Sequence, residues 1–222
     1  MGSTPPNRLA RIVSVDDHPI MVEGLRQLLA GEAGLEHVGG ANDARGALKM
    51  VEELQPDLVV VDISLKQSVS GIDLLKQLRE RHPKLALLVL SVHDEAHYVD
   101  RALRAGANGY VLKDEFAHVI VRAIRQVLAG MTFLSEQISD RLVHQSITGA
   151  APDVTGISGL SDRELEVLRL IGQGFETRHV AARLFVSVKT VETYRQRIKD
   201  KLDLAGAAEL VKFAVEWVNS QR

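Results

Sequence analysis

The chain has 222 residues, enough for one or two domains of about 100–150 residues, each with a buried core. Its 45% hydrophobic and 25% charged residues strike the balance of an ordinary globular protein. Cysteine is absent, which excludes disulfides and thiolate chemistry, and no apolar run approaches the roughly 18 residues of a membrane span. The opening MGSTPPNR has no apolar signal-peptide region and reads as a tail, so the expectation is a soluble, cytoplasmic protein with no membrane partner. The net charge of −2 hides an asymmetry: Gly156 to Arg222 carries 11 Lys or Arg and 9 Asp or Glu. That bias alone is too small to identify nucleic acid as a partner.

In chain order, short apolar runs alternate with amphipathic stretches. RIVSV precedes HPIMVEGLRQLLAGE, EHVGGA precedes DARGALKMVEELQP, and DLVVVDI precedes GIDLLKQLRERHP. LALLVLSV then precedes EAHYVDRALRAGA, and GYVLK precedes FAHVIVRAIRQVLAG. Runs without polar alternation suit strands buried on both faces, and the stretches between them carry helical spacing, as at Leu25, Leu28 and Leu29. Five strand–helix units in series predict an α/β fold, a five-stranded, doubly wound parallel sheet over residues 9–130. FLSEQISDRLVHQ reads as one more helix within a linker over 131–159, where SITGAAPDVTGISG concentrates turn formers. From residue 160 to 220 everything reads as helix, an all-α domain. Its first helix opens on a capping box, Ser161 with Glu164.

Ligands of an open parallel sheet bind beyond the carboxyl ends of its strands. Asp16 and Asp17 end the first predicted strand, Asp62 the third, Ser91 the fourth and Lys113 the fifth. A lone Asp at a strand end is usually a turn residue. Five such side chains over four strand ends point instead to one pocket. Three carboxylates there need a cation, and oxygen ligands select a hard ion, Mg2+. A metal-bound carboxylate facing a lysine and a hydroxyl suits phosphoryl transfer, with Asp62 as the nucleophile.

VDDHP, VVVDISL, LLVLSV and AGANGYVLK resemble the receiver domain of bacterial two-component response regulators. The resemblance makes Asp62 the phospho-acceptor, supplied by a histidine kinase or a small phosphodonor. It implies direct metal ligation by Asp17, ligation by Asp16 through water, and a further ligand in the Ser64 carbonyl. Ser91 and Lys113 would grip the phosphoryl group, and Tyr110 would turn inward with Ser91 on activation. Two departures stand out. DISLKQSVSG has Leu65 and Lys66 where the family has Met-Pro, and its Gly71 comes at plus nine, so the loop is one residue long. Val92 follows Ser91 where Ala or Gly is usual, and with His93 it is expected to cover the approach to Asp62.

TRHVAARLF-VS-VKTVETYRQRIKDKL reads as helix, turn, helix, with Ser187 a natural N-cap. Val191, Tyr194, Ile198 and Leu202 share one face of the second helix. Lys189, Glu192, Thr193 and Gln196 lie opposite, flanked by Arg195, Arg197 and Lys199. Polar residues framed by cations can read base edges, though a solvated helix face has the same composition. LSDRELEVLRLIGQG, VAARLFVSVKTVETY and IKDKL resemble the LuxR-type helix-turn-helix, and the whole chain resembles a NarL/FixJ-type response regulator. That resemblance puts Arg178, Lys189, Thr190, Glu192, Thr193, Arg195, Gln196 and Lys199 at double-stranded DNA. Glu192 stands where Lys is common and favours the N4 amine of C.

In the last helix Leu210, Phe213, Ala214 and Trp217 form one stripe, and Val211, Val215 and Val218 an adjacent one. Two stripes exceed what one core needs, so a homodimer in the active state on an inverted-repeat operator is expected. Two other readings fit the same residues. One is a DNA-binding regulator whose altered receiver ignores phosphate. The other is a Mg2+-dependent Asp-nucleophile phosphohydrolase, disfavoured because Ser64 stands where a second Asp would serve as acid/base.

Overall fold

Continuous apolar runs such as Leu58–Asp62 and Ala86–Ser91 leave no polar face, so they become strands covered on both sides. The computed structural model describes residues 8–65, 69–92, 96–140, 143 and 156–220, and the chain divides into two compact units, residues 1–147 and 148–222. The first unit runs β1 (Ala10–Val15), α1 (Pro19–Ala30), β2 (Leu35–Ala41), α2 (Ala44–Leu54), β3 (Leu58–Asp62) and α3 (Gly71–Arg81). It continues with β4 (Ala86–Ser91), α4 (Ala96–Arg104), β5 (Gly109–Leu112), α5 (Phe116–Leu128) and β6 (Phe133–Leu134). The strands are all parallel, in the order β2-β1-β3-β4-β5-β6.

The sheet therefore has six strands, not the five expected. Phe133 and Leu134 pair with Gly109 and Tyr110, and helical backbone begins only at Glu136. Two residues carry no periodicity, which is why the sequence assigned them to the helix that follows. Residues 1–7 of the expected tail, the loop residue Lys66, His93 and residues 141, 142, 144 and 145 of the expected linker helix lie outside the described residues.

One face of the sheet, with Ile12, Leu58, Val60, Leu88, Leu90 and Val111, packs against Leu25 and Leu29 of α1 and Ile120, Ile124 and Val127 of α5. Each such side chain, fully buried, contributes about 1.5–3 kcal/mol before chain entropy is counted. The alternate residues Val59, Val61, Leu87 and Val89 are equally buried on the other face. Helix starts are fixed locally: Asp43 caps α2 through the Gly46 amide (2.6 Å), and Ser70 caps α3 through the Asp73 amide (3.1 Å).

Among its described residues the second unit holds a 3-10 turn (Ile157–Gly159) and four helices: α6 (Asp162–Gly172), α7 (Thr177–Leu184), α8 (Val188–Leu202) and α9 (Ala207–Ser220). The expected capping box forms, with Ser161 N donating to Glu164 Oε2 (2.7 Å) and Glu164 N to Ser161 Oγ (3.4 Å). At Gly172, α6 approaches α9 so closely that a Cβ would lie 2.2 Å from the Ala214 carbonyl oxygen. Among the described residues, no helix is long and apolar enough to cross a membrane.

Candidate functional site

Because all strands run the same way, their carboxyl ends share one edge, and the five expected side chains gather there. Asp16 and Asp17 follow β1, Asp62 and Ser91 close β3 and β4, and Lys113 follows β5. Asp62, Ser91 and Asp16 are buried, at 1%, 0% and 4% exposure. The Lys113 ammonium donates to Asp62 Oδ2 at 2.8 Å and lies 2.7 Å from Asp16 Oδ2. Its backbone amide donates to the Ser91 carbonyl at 2.7 Å, which fixes β5 against β4 at the pocket. Ser64 reaches the pocket with its amide, which donates to Asp62 Oδ1 at 2.8 Å.

Burial raises the Asp62 carboxyl above its ordinary value; Lys113 opposes this and Asp16 adds to it. Burial works to lower the Lys113 ammonium, but Asp62 and Asp16 outweigh it and leave that group raised. Three carboxylates against one ammonium leave excess negative charge in a small space, the condition a divalent cation satisfies. Ligand atoms of Asp16, Asp17, His18 and Asp62 lie within 4.8 Å of one another. The donor set thus fits the metal that the sequence implied, through Asp16, Asp17 and Asp62.

The sequence reading missed His18. Its Nδ1 lies 3.0 Å from Asp16 Oδ1 and 2.9 Å from Asp17 Oδ1, and its amide donates to Asp16 Oδ1 at 2.8 Å. Pro19 starts α1 immediately afterwards and holds this turn in place. The signal was in DDHP itself, where a histidine adjoins two carboxylates.

The loop after Asp62 is anchored at both ends. Leu65 is buried, and the Gly71 amide donates to the Ile63 carbonyl at 3.3 Å. A Cβ at Gly71 would lie 2.2 Å from the Asp62 carbonyl oxygen, so only glycine lets α3 begin against the backbone of that strand end. Tyr110, expected to turn inward on activation, is already fully buried here. Val92 is 60% exposed.

In the second unit, α7 ends on Phe185 in the left-handed region (φ 54°), and α8 starts on Ser187, whose Oγ accepts from the Thr190 amide at 3.0 Å. Val191 and Ile198 of α8 are fully buried. Lys189, Glu192, Thr193, Gln196 and Arg197 are exposed, Arg195 and Lys199 half-buried, and Arg178 of α7 exposed. Thr190 is engaged with Ser187 Oγ at 2.8 Å, and Gln196 Nε2 donates to Asp200 Oδ1 at 2.7 Å. On α9, Leu210, Ala214 and Trp217 are buried, while Val211 and Val215 remain 42% and 37% exposed.

Comparison with known proteins agrees with both halves. Residues 12–125 match the response regulator receiver domain, and residues 158–214 match the luxR family of bacterial regulatory proteins. The oxygen regulatory protein NreC of Staphylococcus carnosus is 33% identical over 210 residues, covering 93% of this chain and 97% of that protein. NreC of Staphylococcus haemolyticus is 34% identical over the same shares. A LuxR-family two-component response regulator from Aurantimonas sp. is 34% identical, with a TM-score of 0.60 over 63% of this chain and 99% of that one. RcsB of Salmonella enterica serovar Typhimurium, solved bound to promoter rprA with the phosphomimetic BeF3-, is 25% identical with a TM-score of 0.60, over 94% of this chain and 99% of that one.

Proposed function

Since the chain belongs to the LuxR-family response regulators, DNA-binding transcription regulators that join a receiver to a helix-turn-helix, we propose that it is switched by phosphorylation of Asp62. The observation that carries this reading is the buried Asp62 carboxylate held by Lys113 at 2.8 Å on the strand edge where Asp16, Asp17 and Ser91 converge. An Asp62 oxygen attacks the phosphorus of a kinase phosphohistidine or a small acyl phosphate. The bond from phosphorus to the donor's nitrogen or oxygen breaks, its electron pair leaves with the donor, and an aspartyl phosphate forms. Lys113 and Ser91 donate to the phosphoryl oxygens. Asp17 and Asp62, with Asp16 through water and the Ser64 carbonyl, would hold Mg2+, which would supply charge neutralisation when bound. Tyr110 and Ser91 transmit the change.

The output is a homodimer, joined along Val211 and Val215, that places α8 of each copy in the major groove of an inverted-repeat operator in the cytoplasm. Glu192, Thr193 and Gln196 face the bases; Arg178, Lys189, Thr190, Arg195 and Lys199 serve the phosphates. The protein is not a hydrolase, because Ser64 at plus two supplies no acid/base carboxylate. The test is incubation of the full chain with Mg2+ and acetyl phosphate, followed by intact mass. One added phosphoryl group is expected, and none in Asp62→Asn. A label that persists in that variant overturns the assignment; no label on the native chain leaves a DNA-binding regulator that works without phosphate.

A further inference from the structure

Oxygen ligands alone select a hard ion, but the pocket also offers a nitrogen. The His18 ring is wedged between the first two carboxylates, with Nδ1 turned inward at 2.9 Å from Asp17 Oδ1 and 3.0 Å from Asp16 Oδ1. Nδ1 and one oxygen each from Asp16, Asp17 and Asp62 all lie within 4.8 Å of one another. Around an octahedral ion with bonds of about 2.1 Å, adjacent ligands stand about 3 Å apart and opposite ones about 4.2 Å. The Nδ1 separations of 2.9 and 3.0 Å are those of adjacent ligands. The residue is held for this: its amide donates to Asp16 Oδ1 at 2.8 Å, and Pro19 fixes the start of α1. The ring, with its side chain 48% exposed, keeps room to adjust.

We propose that His18 Nδ1 is a ligand of this pocket, which makes it a mixed imidazole–carboxylate site that holds a borderline transition ion more tightly than Mg2+. The inference rests on reading the cluster as the metal site of the Asp62 receiver. Nδ1 stands beside both carboxylate oxygens at the spacing of adjacent ligands, so one ion can be shared by all three. Imidazole adds little for Mg2+, which binds oxygen and keeps its water, and much for Ni2+ or a neighbouring ion. The nitrogen thereby changes which ion fills the pocket from the one that oxygen donors alone would select.

The experiment uses the full chain with one equivalent of Mn2+ and pulsed electron paramagnetic resonance, which detects nitrogen bound directly to the ion. The native chain should show 14N coupling, and His18→Ala should lose it while still binding Mn2+. In parallel calorimetric titrations, His18→Ala should weaken Ni2+ tenfold or more and change Mg2+ less than about threefold. His18→Gln, which keeps a polar side chain at the same turn, should behave like His18→Ala. Absence of 14N coupling in the native chain overturns the proposal, as does equal loss of Ni2+ and Mg2+ affinity in the variants. Acetyl phosphate labelling of the same samples separates the two readings. Intact labelling of Asp62 without nitrogen coupling sinks only the His18 ligand, whereas loss of native labelling sinks the receiver chemistry itself.

Discussion

Lys201, in the last turn of α8, donates its ammonium to the buried carboxylate of Glu164 in α6 at 2.7 Å. The same Glu164 oxygen accepts from the Ser161 amide, so one side chain closes the first turn of α6 and fastens the far end of α8 to it. Burial alone would raise this carboxyl, but Lys201 and the Ser161 bonds outweigh it and hold it below its ordinary value. A carboxyl lower in the folded than in the unfolded chain stabilises fully above the unfolded value, and this contribution disappears as pH falls through the folded one.

The helical unit should therefore lose stability as pH drops below about 5. Glu164→Gln should cost about 1–3 kcal/mol at pH 7 and flatten that acid slope. The single tryptophan, Trp217, is buried in α9 and reports this unit by fluorescence during denaturant unfolding. An unchanged acid slope in the variant would remove Glu164 from the account.

Base reading and phosphate holding should separate on α8. Gln196→Ala should relax preference at one base pair, at a cost of about 1–3 kcal/mol on the preferred site. Lys199→Ala should weaken all sequences alike and reduce the salt slope by about 1. Selection of bound DNA from a random pool, followed by titrations at several salt concentrations, distinguishes the two. If Gln196→Ala leaves preference and affinity untouched, another face of the helix docks.

The valines left exposed on α9 should form the seam between two copies. Val215→Glu places a charge in that seam and should abolish dimerisation of the phosphorylated chain in sedimentation, with DNA affinity reduced at least tenfold. The monomer should keep its Trp217 emission, because the buried stripe of Leu210, Ala214 and Trp217 is untouched. A dimer that survives the substitution would place the interface elsewhere.

Val92 directly follows Ser91, which closes β4 beside the strand that ends on Asp62. Loss of an aspartyl phosphate needs in-line attack by water, so bulk on that approach slows decay and loading together. Val92→Ala should speed both several-fold, measured by mass after phosphodonor removal and during loading. Its 60% exposure leaves the methyl groups at the surface, where they can obstruct without stabilising the core. Unchanged rates would leave the anchored 65–71 loop in control.

The carboxylates and lysine of the pocket were legible because each apolar run stops on a charged or hydroxyl residue, and parallel strands bring such stops to one edge. The cap at Ser187 and the split between buried and exposed faces of α8 were legible for an equally local reason, helical period. What escaped lacked either signal. Phe133–Leu134 is too short for a period. His18 lay beside Pro19 and read as the start of a helix. The Glu164–Lys201 link joins residues 37 apart, a pairing that tertiary packing alone creates.

The short sixth strand has a mechanical consequence. Chain leaving the first unit is held to β5 by the Phe133 amide on the Asn108 carbonyl (3.1 Å) and the Ser135 amide on the Tyr110 carbonyl (3.2 Å). Those two bonds contribute about 1 kcal/mol each, and the buried Phe133 ring adds to them. The segment after α5 is thus coupled directly to the strand that carries Tyr110 and leads into Lys113. The Ser135 amide becomes a strain gauge: its hydrogen-exchange rate should rise whenever β5 shifts.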